Sequence, residues 1–213
     1  MSTIHHPSGE TLGAFAAGSL DEGRRVVVAS HVELCASCQR LVSALEQLGG
    51  NHLEQLRGTP MAADALEKTL QRLDASPDGA GQLRHAASDL PVQLKALAPY
   101  ALEPWRWIGP GVYRRTAAVP TDGGARVFLL KAAPGTRLPH HTHTGTELTV
   151  ILQGAFAHAG GLFGVGDFDE ADGTVEHEPV VEEGQDCICL VAMQGELRLL
   201  GLMGRLLQPF VRM

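Results

Sequence analysis

The segment from Gly135 to Glu147 concentrates side chains that bind metal ions. It contains His140, His141 and His143 and ends at Glu147. Successive side chains on an extended strand point to opposite faces, so His141 and His143 would share one face and His140 would lie on the other. A turn after His143 would bring the Glu147 carboxylate to the same point. Two imidazoles and a carboxylate suit a transition metal, and the alternative is a solvated histidine-rich loop.

A second group of metal-binding side chains lies near the N-terminus. His31, Cys35 and Cys38 have the spacing H-x3-C-x2-C, in which one helical turn separates His31 from Cys35 and two thiolates can face one ion. A closed structural site needs a fourth ligand, and of the upstream candidates His5 and His6 we choose His6. The alternative is a redox dithiol, but such motifs usually follow a strand, and helical patterns flank this one. The pattern therefore predicts a structural Zn²⁺ site.

Helical patterns surround this second group. Ser8 can cap a first short helix, and Ser19 and Ser30 each begin an S-x-x-E capping box. The run that starts at Ser30 is expected to end at Gly49-Gly50, and Thr59-Pro60 precedes an amphipathic run. Four short helices bury little apolar area, so bound zinc, worth ~10–16 kcal/mol in small modules, would hold them together.

The periodicity changes to that of strands from about residue 105. Apolar runs separated by Gly or Pro turns occupy 105–108, 112–117, 126–131, 147–152, 175–181 and 187–193. This regular spacing favours an antiparallel sandwich or barrel. The intervening residues 75–90 are rich in turn formers and typical of a linker. The predicted fold is therefore a small zinc-stapled α-helical domain followed by an all-β domain.

Composition narrows the class of function. The net charge of -7 argues against direct nucleic-acid binding. The chain of 213 residues has 25 glycines and 44% hydrophobic residues, which indicates a globular protein with many turns. No apolar run approaches the ~20 residues of a membrane span, and no signal segment follows Met1, so we expect a cytoplasmic protein without membrane contact.

The remaining cysteines and histidines have no metal-binding spacing of their own. Cys187 and Cys189 would share one face of a strand, where Cα atoms ~6.6 Å apart suit a disulfide poorly, so we expect buried thiols. His52, His85 and His158 are expected on the surface or in loops.

The histidine-rich segment resembles the first cupin motif, G-x5-H-x-H-x3-E-x6-G, at every defined position from Gly135 to Gly154. The second cupin motif is partly kept: Gly166 and His177 have its spacing, whereas Asp172 replaces its proline and Val181 its final asparagine. The resemblance implies a double-sheet jelly-roll barrel with an internal metal ion, expected to be Zn²⁺. The ligands that it implies are His141, His143, Glu147 and His177.

The N-terminal pattern resembles the zinc-binding anti-sigma fold. A zinc anti-sigma domain followed by a cupin, over essentially the whole chain, is similar to the ChrR anti-sigma factors. The resemblance implies an anti-sigma domain at 1–85 with the ligands His6, His31, Cys35 and Cys38, a connecting segment at 86–104 and a cupin sensor at 105–213. It also implies that residues 1–85 bind an alternative sigma factor of the extracytoplasmic-function type, which is released on an oxidative signal such as singlet oxygen.

That resemblance implies a regulator without enzymatic activity. The alternative is a metal-dependent cupin enzyme, an oxygenase or isomerase with an accessory zinc module, in which Glu147 or a bound water acts as the base. Two zinc ions per chain would favour the regulator, and iron, manganese or copper in the barrel would favour redox chemistry.

Overall fold

The computed structural model describes residues 3–74, 90–121 and 124–200. Within these ranges the helices are Gly9–Ala16 (α1), Glu22–Leu34 (α2), Ala36–Glu54 (α3) and Ala65–Asp74 (α4). The strands are Arg106–Gly109 (β1), Val112–Thr116 (β2), Arg126–Ala132 (β3), His141–His143 (β4), Glu147–Gln153 (β5), Phe156–His158 (β6), Gly161–Phe163 (β7), Phe168–Ala171 (β8), Val180–Val181 (β9), Cys187–Met193 (β10) and Leu197–Leu199 (β11). The expected linker, except residue 90, and the expected surface residue His85 lie outside the described residues. No described helix has both the length and the apolarity needed to cross a membrane.

Of the three serines predicted to cap helices, only Ser8 does so. Ser8 caps α1 as expected, but α2 is capped by the side chain of Asp21 and not by Ser19. The helix also continues through Ser30, whose hydroxyl donates to the carbonyl oxygen of Val26 at 2.8 Å. A serine can satisfy its hydroxyl in this way within a helix, so the second S-x-x-E spacing marks no helix start.

The break between α2 and α3 lies at Cys35, where the backbone is extended with φ -117° and ψ 103°. This break places Cys35 at the start of α3 and Cys38 in its first turn. The helix then passes through Gly49 and Gly50 to Glu54, contrary to the expected stop. Neither glycine has a positive φ, so each costs the helix about 1 kcal/mol relative to alanine without ending it.

The β-strands form two layers. Six antiparallel strands make the larger sheet, in the order β1-β2-β3-β10-β5-β8. The second layer consists of the three-stranded sheet β7-β6-β9 and the two-stranded sheet β11-β4, joined by bridges from Arg137 to Val180 and from His141 to His177. The predicted double-sheet barrel is confirmed, with β4 carrying the histidine pair on its inner wall.

Both faces of the larger sheet are buried. Along β10, Cys187 and Cys189 join the core inside the barrel, and Ile188 and Leu190 join the core beneath the helices. Three valines of α2, residues 26–28, are 0% exposed in this outer core. The expected burial of both thiols is confirmed, and the helices and the barrel share one apolar core.

The segment that follows the expected linker lies along α2. Leu94 and Leu97 are buried in the outer core. The Glu33 carboxylate of α2 accepts hydrogen bonds from the backbone amides of Lys95 and Ala96, at 2.8 and 2.7 Å. The connection between helices and barrel is therefore attached to the helix that carries His31.

Gly23 lies in the first turn of α2, where the helix meets the sheet. A Cβ at this position would overlap the backbone carbonyl oxygen of Ala125. Because backbone cannot move aside as a side chain can, Gly23→Ala should lower the free energy of unfolding in urea by about 1–3 kcal/mol. The matched control is Gly13→Ala in α1, where a Cβ meets no atom within 4 Å. This substitution should raise the free energy of unfolding by about 0.5–1 kcal/mol, because alanine favours the helix over glycine. Equal effects of the two substitutions would contradict this packing.

Candidate metal centres

The N-terminal group brings four possible metal ligands together, His6, His31, Cys35 and Cys38. Nδ1 of His6 lies 3.4 Å from Sγ of Cys35 and 3.5 Å from Sγ of Cys38, and Nε2 of His31 lies 3.3 Å from Sγ of Cys38. A tetrahedral Zn²⁺ with Zn–S of ~2.3 Å and Zn–N of ~2.0–2.1 Å requires N···S separations of about 3.6 Å. These three separations are within about 0.3 Å of that value, and all four ligand atoms lie within 4.8 Å of one another, so the group could hold such an ion.

The N-terminal segment decides which of its two histidines meets the thiols. The backbone amide of His5 donates to the Asp167 carboxylate at 3.1 Å, and its carbonyl accepts from the amide of Phe168 at 3.1 Å. The His5 ring stacks on Phe163 with centroids 4.2 Å apart. Neighbouring side chains on an extended segment point to opposite sides, so His6 faces the thiols.

His31 is oriented by the barrel. Its Nδ1 lies 2.8 Å from the carbonyl oxygen of Gly166, in the turn before β8. A carbonyl oxygen can only accept, so Nδ1 carries the proton and Nε2 presents its lone pair towards Cys38. Burial lowers the pKa of His31 to about 4, so the imidazole is neutral at pH 7. The contact therefore holds His31 in the form that binds a metal.

The two thiols of this group differ in acidity. Burial, together with the neighbouring Cys35, raises the pKa of Cys38 to about 12. Burial also opposes ionisation of Cys35, but the Thr3 hydroxyl and nearby backbone amides outweigh it and lower the pKa of Cys35. Without a cation the group therefore retains a proton on Cys38, and a dication would stabilise both thiolates.

The second group lies inside the barrel. His141 and His143 project inward from β4, and the bridge between His141 and His177 brings the third imidazole beside them. Nε2 of His143 and Nε2 of His177 are 3.1 Å apart, close to the ~3.3 Å between two nitrogens of a tetrahedral zinc site. The structure thus brings these predicted histidines together.

Glu147 lies beside this group and not within it. Its Oε2 is 3.6 Å from Nδ1 of His143, and the set of mutually close ligand atoms contains only the three histidines of the predicted four residues. Burial, followed by the charge of Asp169, raises the pKa of Glu147 to about 7. In this arrangement the carboxyl group is partly protonated at neutral pH.

The barrel histidines are neutral. Burial lowers the pKa of both His143 and His177 to about 4. Their Nδ1 atoms are buried and have no hydrogen-bond partner among the described residues. Nε2 of His143 and Nε2 of His177 lie 3.1 Å apart, so one cation could accept a lone pair from each ring. The residues present therefore fit a bound metal ion.

His158 and Asp169 belong to the same cluster. The expectation that His158 is a surface or loop residue is wrong, because its Nε2 lies 3.1 Å from Oδ2 of Asp169 and its ring meets His177 edge to face. The sequence signal was its position two residues after the buried Phe156, which places both side chains on the inner face of β6.

A helical module with a candidate His₂Cys₂ metal site packs on a β-barrel with three inward histidines, and this combination defines a cupin protein with an N-terminal helical module. Residues 95–196 match the family model described as ChrR Cupin-like domain. The chain is 39% identical over 214 residues to the Anti-sigma-E factor ChrR of Cereibacter sphaeroides, covering 100% of both chains. It also matches a chain of the Rhodobacter sphaeroides complex of SigE with the anti-sigma ChrR, with a TM-score of 0.74, 36% identity and coverage of 90% of this chain and 99% of that chain. The protein belongs to the ChrR family of anti-sigma factors.

Proton release on metal binding tests the role of Glu147. Its pKa of about 7 leaves it mostly protonated at about pH 6, whereas a metal-bound carboxylate is ionised. Zinc binding near pH 6 should therefore release about one more proton from the natural protein than from Glu147→Gln, and the difference should vanish above about pH 8. Calorimetry in buffers of different ionisation enthalpy measures this number.

The control for this measurement is Glu176→Gln, which changes an exposed acid beside His140. It should leave proton release unchanged at both pH values. Equal release from the natural protein and Glu147→Gln near pH 6 would show that Glu147 does not ionise when the metal binds.

Proposed function

We propose that the protein sequesters an alternative sigma factor of the extracytoplasmic-function type through residues 1–85. An oxidative signal, singlet oxygen or a related oxidant, acts on the metal-binding barrel at 105–213 and releases the sigma factor. Membership of the ChrR family supports this function, since one relative was solved in complex with SigE. We further propose Zn²⁺ at His6, His31, Cys35 and Cys38, and a second Zn²⁺ at His141, His143, Glu147 and His177. The observation that carries the proposal is an exposed apolar face on the helices.

This apolar face has no partner among the described residues. On α4, Leu66, Leu70 and Leu73 share one side of the helix and are 70%, 51% and 66% exposed. Leu41 and Leu48 of α3 are exposed as well. A helix of ten residues is marginally stable alone, and exposed leucines in such a row mark a protein-binding surface. Helices of a sigma factor would bind this face through their own apolar side chains.

Charge supports the same partner class. A protein that reads DNA presents basic surfaces, and the net charge of -7 on this chain would attract it and speed association.

The N-terminal group of metal-binding side chains lies at the junction of α2 and α3. A metal ion there would fix the angle between α2, which packs on the barrel, and α3, which carries exposed leucines.

Contacts between the two candidate metal centres offer a path for the signal. His31 donates to the carbonyl oxygen of Gly166, and the next residue, Asp167, accepts from the amides of the segment that carries His6. Two residues further along β8, Asp169 contacts His158 inside the barrel. A change inside the barrel can thus reach the helices through residues 166–169.

Substitutions on the exposed face test sigma factor binding. The double variant Leu66→Glu, Leu70→Glu keeps good helix formers at exposed positions, so folding and zinc content should not change. Its affinity for the sigma factor should fall at least about thirtyfold, because buried apolar anchors at interfaces contribute about 2 kcal/mol or more. Calorimetric titration of the full chain with the sigma factor measures this loss.

The control for that titration is Leu162→Glu, at an exposed leucine on β7 of the barrel. It should bind the sigma factor like the natural protein. If all three proteins bind equally, the leucine row of α4 is not the docking surface; if the natural protein does not bind, the proposed function fails.

Substitutions at the two candidate metal centres should separate capture from release. Replacing His141, His143 or Glu147 by alanine should leave sigma factor inhibition intact and abolish its relief by photosensitised singlet oxygen. Replacing Cys35 or Cys38 by alanine should destroy inhibition, because the helices lose their metal. Run-off transcription with the sigma factor and core RNA polymerase measures both properties.

The histidine pair at the N-terminus supplies matched controls. His6→Ala should behave like the cysteine variants and lose one zinc ion per chain, whereas His5→Ala should retain it. Loss of inhibition in the barrel variants would contradict the proposed separation of capture and sensing.

A metal-dependent cupin enzyme is the second candidate function. The observation that favours it is a cavity of about 540 Å³ beside the barrel histidines, a size typical of small-molecule sites. The identity of the barrel metal distinguishes the two functions, since iron, manganese or copper would favour oxygen chemistry and zinc the regulator.

A further inference from the structure

The barrel encloses a cavity that the proposed sensing chemistry does not explain. Its volume is about 540 Å³, within the ~300–1,000 Å³ range of small-molecule sites. Apolar side chains from both layers line most of its wall, among them Phe128, Leu130, Val191, Leu197 and Leu199. A single metal ion needs only a small part of this space, so the cavity can hold an organic molecule beside it.

Arg114 brings a positive charge to this apolar wall. It lies on β2 opposite Leu130, and its guanidinium stands over the ring of Phe128, 4.7 Å from the centroid. Its Nε is buried and has no hydrogen-bond partner among the described residues. Burial, followed by the nearby charge of Arg126, lowers the pKa of Arg114, and the charge of Glu103 opposes this shift.

The acids inside the barrel have other neighbours. Asp169 contacts His158, and Glu147 lies beside His143. Arg114 is on β2, which β3 and β10 separate from the β5 strand that carries Glu147, a distance of about 14 Å along the sheet. The cavity therefore has an apolar body with a cationic group on one side and the histidine cluster on the other.

We propose that the barrel binds a small organic monocarboxylate whose apolar body fills the cavity and whose carboxylate accepts hydrogen bonds from Arg114. The buried Nε of Arg114 has no acceptor among the described residues, which is unfavourable, and a carboxylate supplies two oxygens that can accept from Nε and from a neighbouring guanidinium nitrogen. A phosphate would bring a second charge that one arginine in an apolar wall does not neutralise. Trp107 and Ile108, both exposed, line the same cavity and provide an apolar mouth.

Binding of decanoate to the full-length, zinc-loaded protein tests this site. Calorimetry should show one saturable site, and Arg114→Gln should weaken it at least about tenfold, because a hydrogen bond to a charged group is lost. Decan-1-ol, which has the same chain without the charge, should bind the natural protein more weakly by a similar factor. None of these measurements involves a sigma factor, so their failure is distinguishable from failure of the proposed function.

The matched control is Arg106→Gln. Arg106 pairs with Arg114 across β1 and β2, but its side chain is 74% exposed, so this variant should bind decanoate like the natural protein. Arg114→Lys keeps the charge and loses the planar fork; it should show an intermediate loss and serves as the test if Arg114→Gln does not fold.

Three results would overturn the proposal. The first is the absence of saturable decanoate binding by the natural protein. The second is equal affinity in the natural protein and the folded Arg114 variants. The third is loss of binding on removal of the barrel metal with no effect of the Arg114 substitutions, which would place the carboxylate on the metal.

Discussion

The packing of α2 on the outer face of the larger sheet joins the two parts of the molecule. The three valines at 26–28 bury this helix against the sheet, and one turn later His31 donates to the carbonyl oxygen of Gly166. The apolar contact sets the position of the helix, and the hydrogen bond sets the tautomer of the imidazole. The thiol cluster depends on both, because Cys35 and Cys38 follow directly from the end of this helix.

The two candidate metal centres orient one of their histidines by the same kind of hydrogen bond. In each, one histidine donates its Nδ1 proton to a backbone carbonyl oxygen, His31 to Gly166 and His141 to Pro139, and so leaves Nε2 for the ion. Burial keeps these imidazoles neutral by lowering their pKa. A buried neutral imidazole binds a cation without first losing a proton, so both groups are prepared for metal at neutral pH.

The surface proposed for recognition and the site proposed for sensing belong to different parts of the molecule. The exposed leucines lie on α3 and α4, whereas the histidine cluster lies inside the barrel. The strand β8 and the turn before it contact both centres, through Gly166 on one side and Asp169 on the other. This short connection gives a chemical change inside the barrel a direct path to the helix that ends at the thiols.

Local spacing in the sequence determined the H-x3-C-x2-C group, the H-x-H pair and the helix-then-barrel order, because helix and strand periods alone place such neighbours on one side of an element. Tertiary structure decided the rest. Pairing with β8 turns His6 and not His5 towards the thiols, closure of the barrel brings His158 and Asp169 to the histidine cluster, and Arg114 comes to face the cavity. These positions depend on contacts between segments far apart in the chain, and no local period encodes which distant side chains meet.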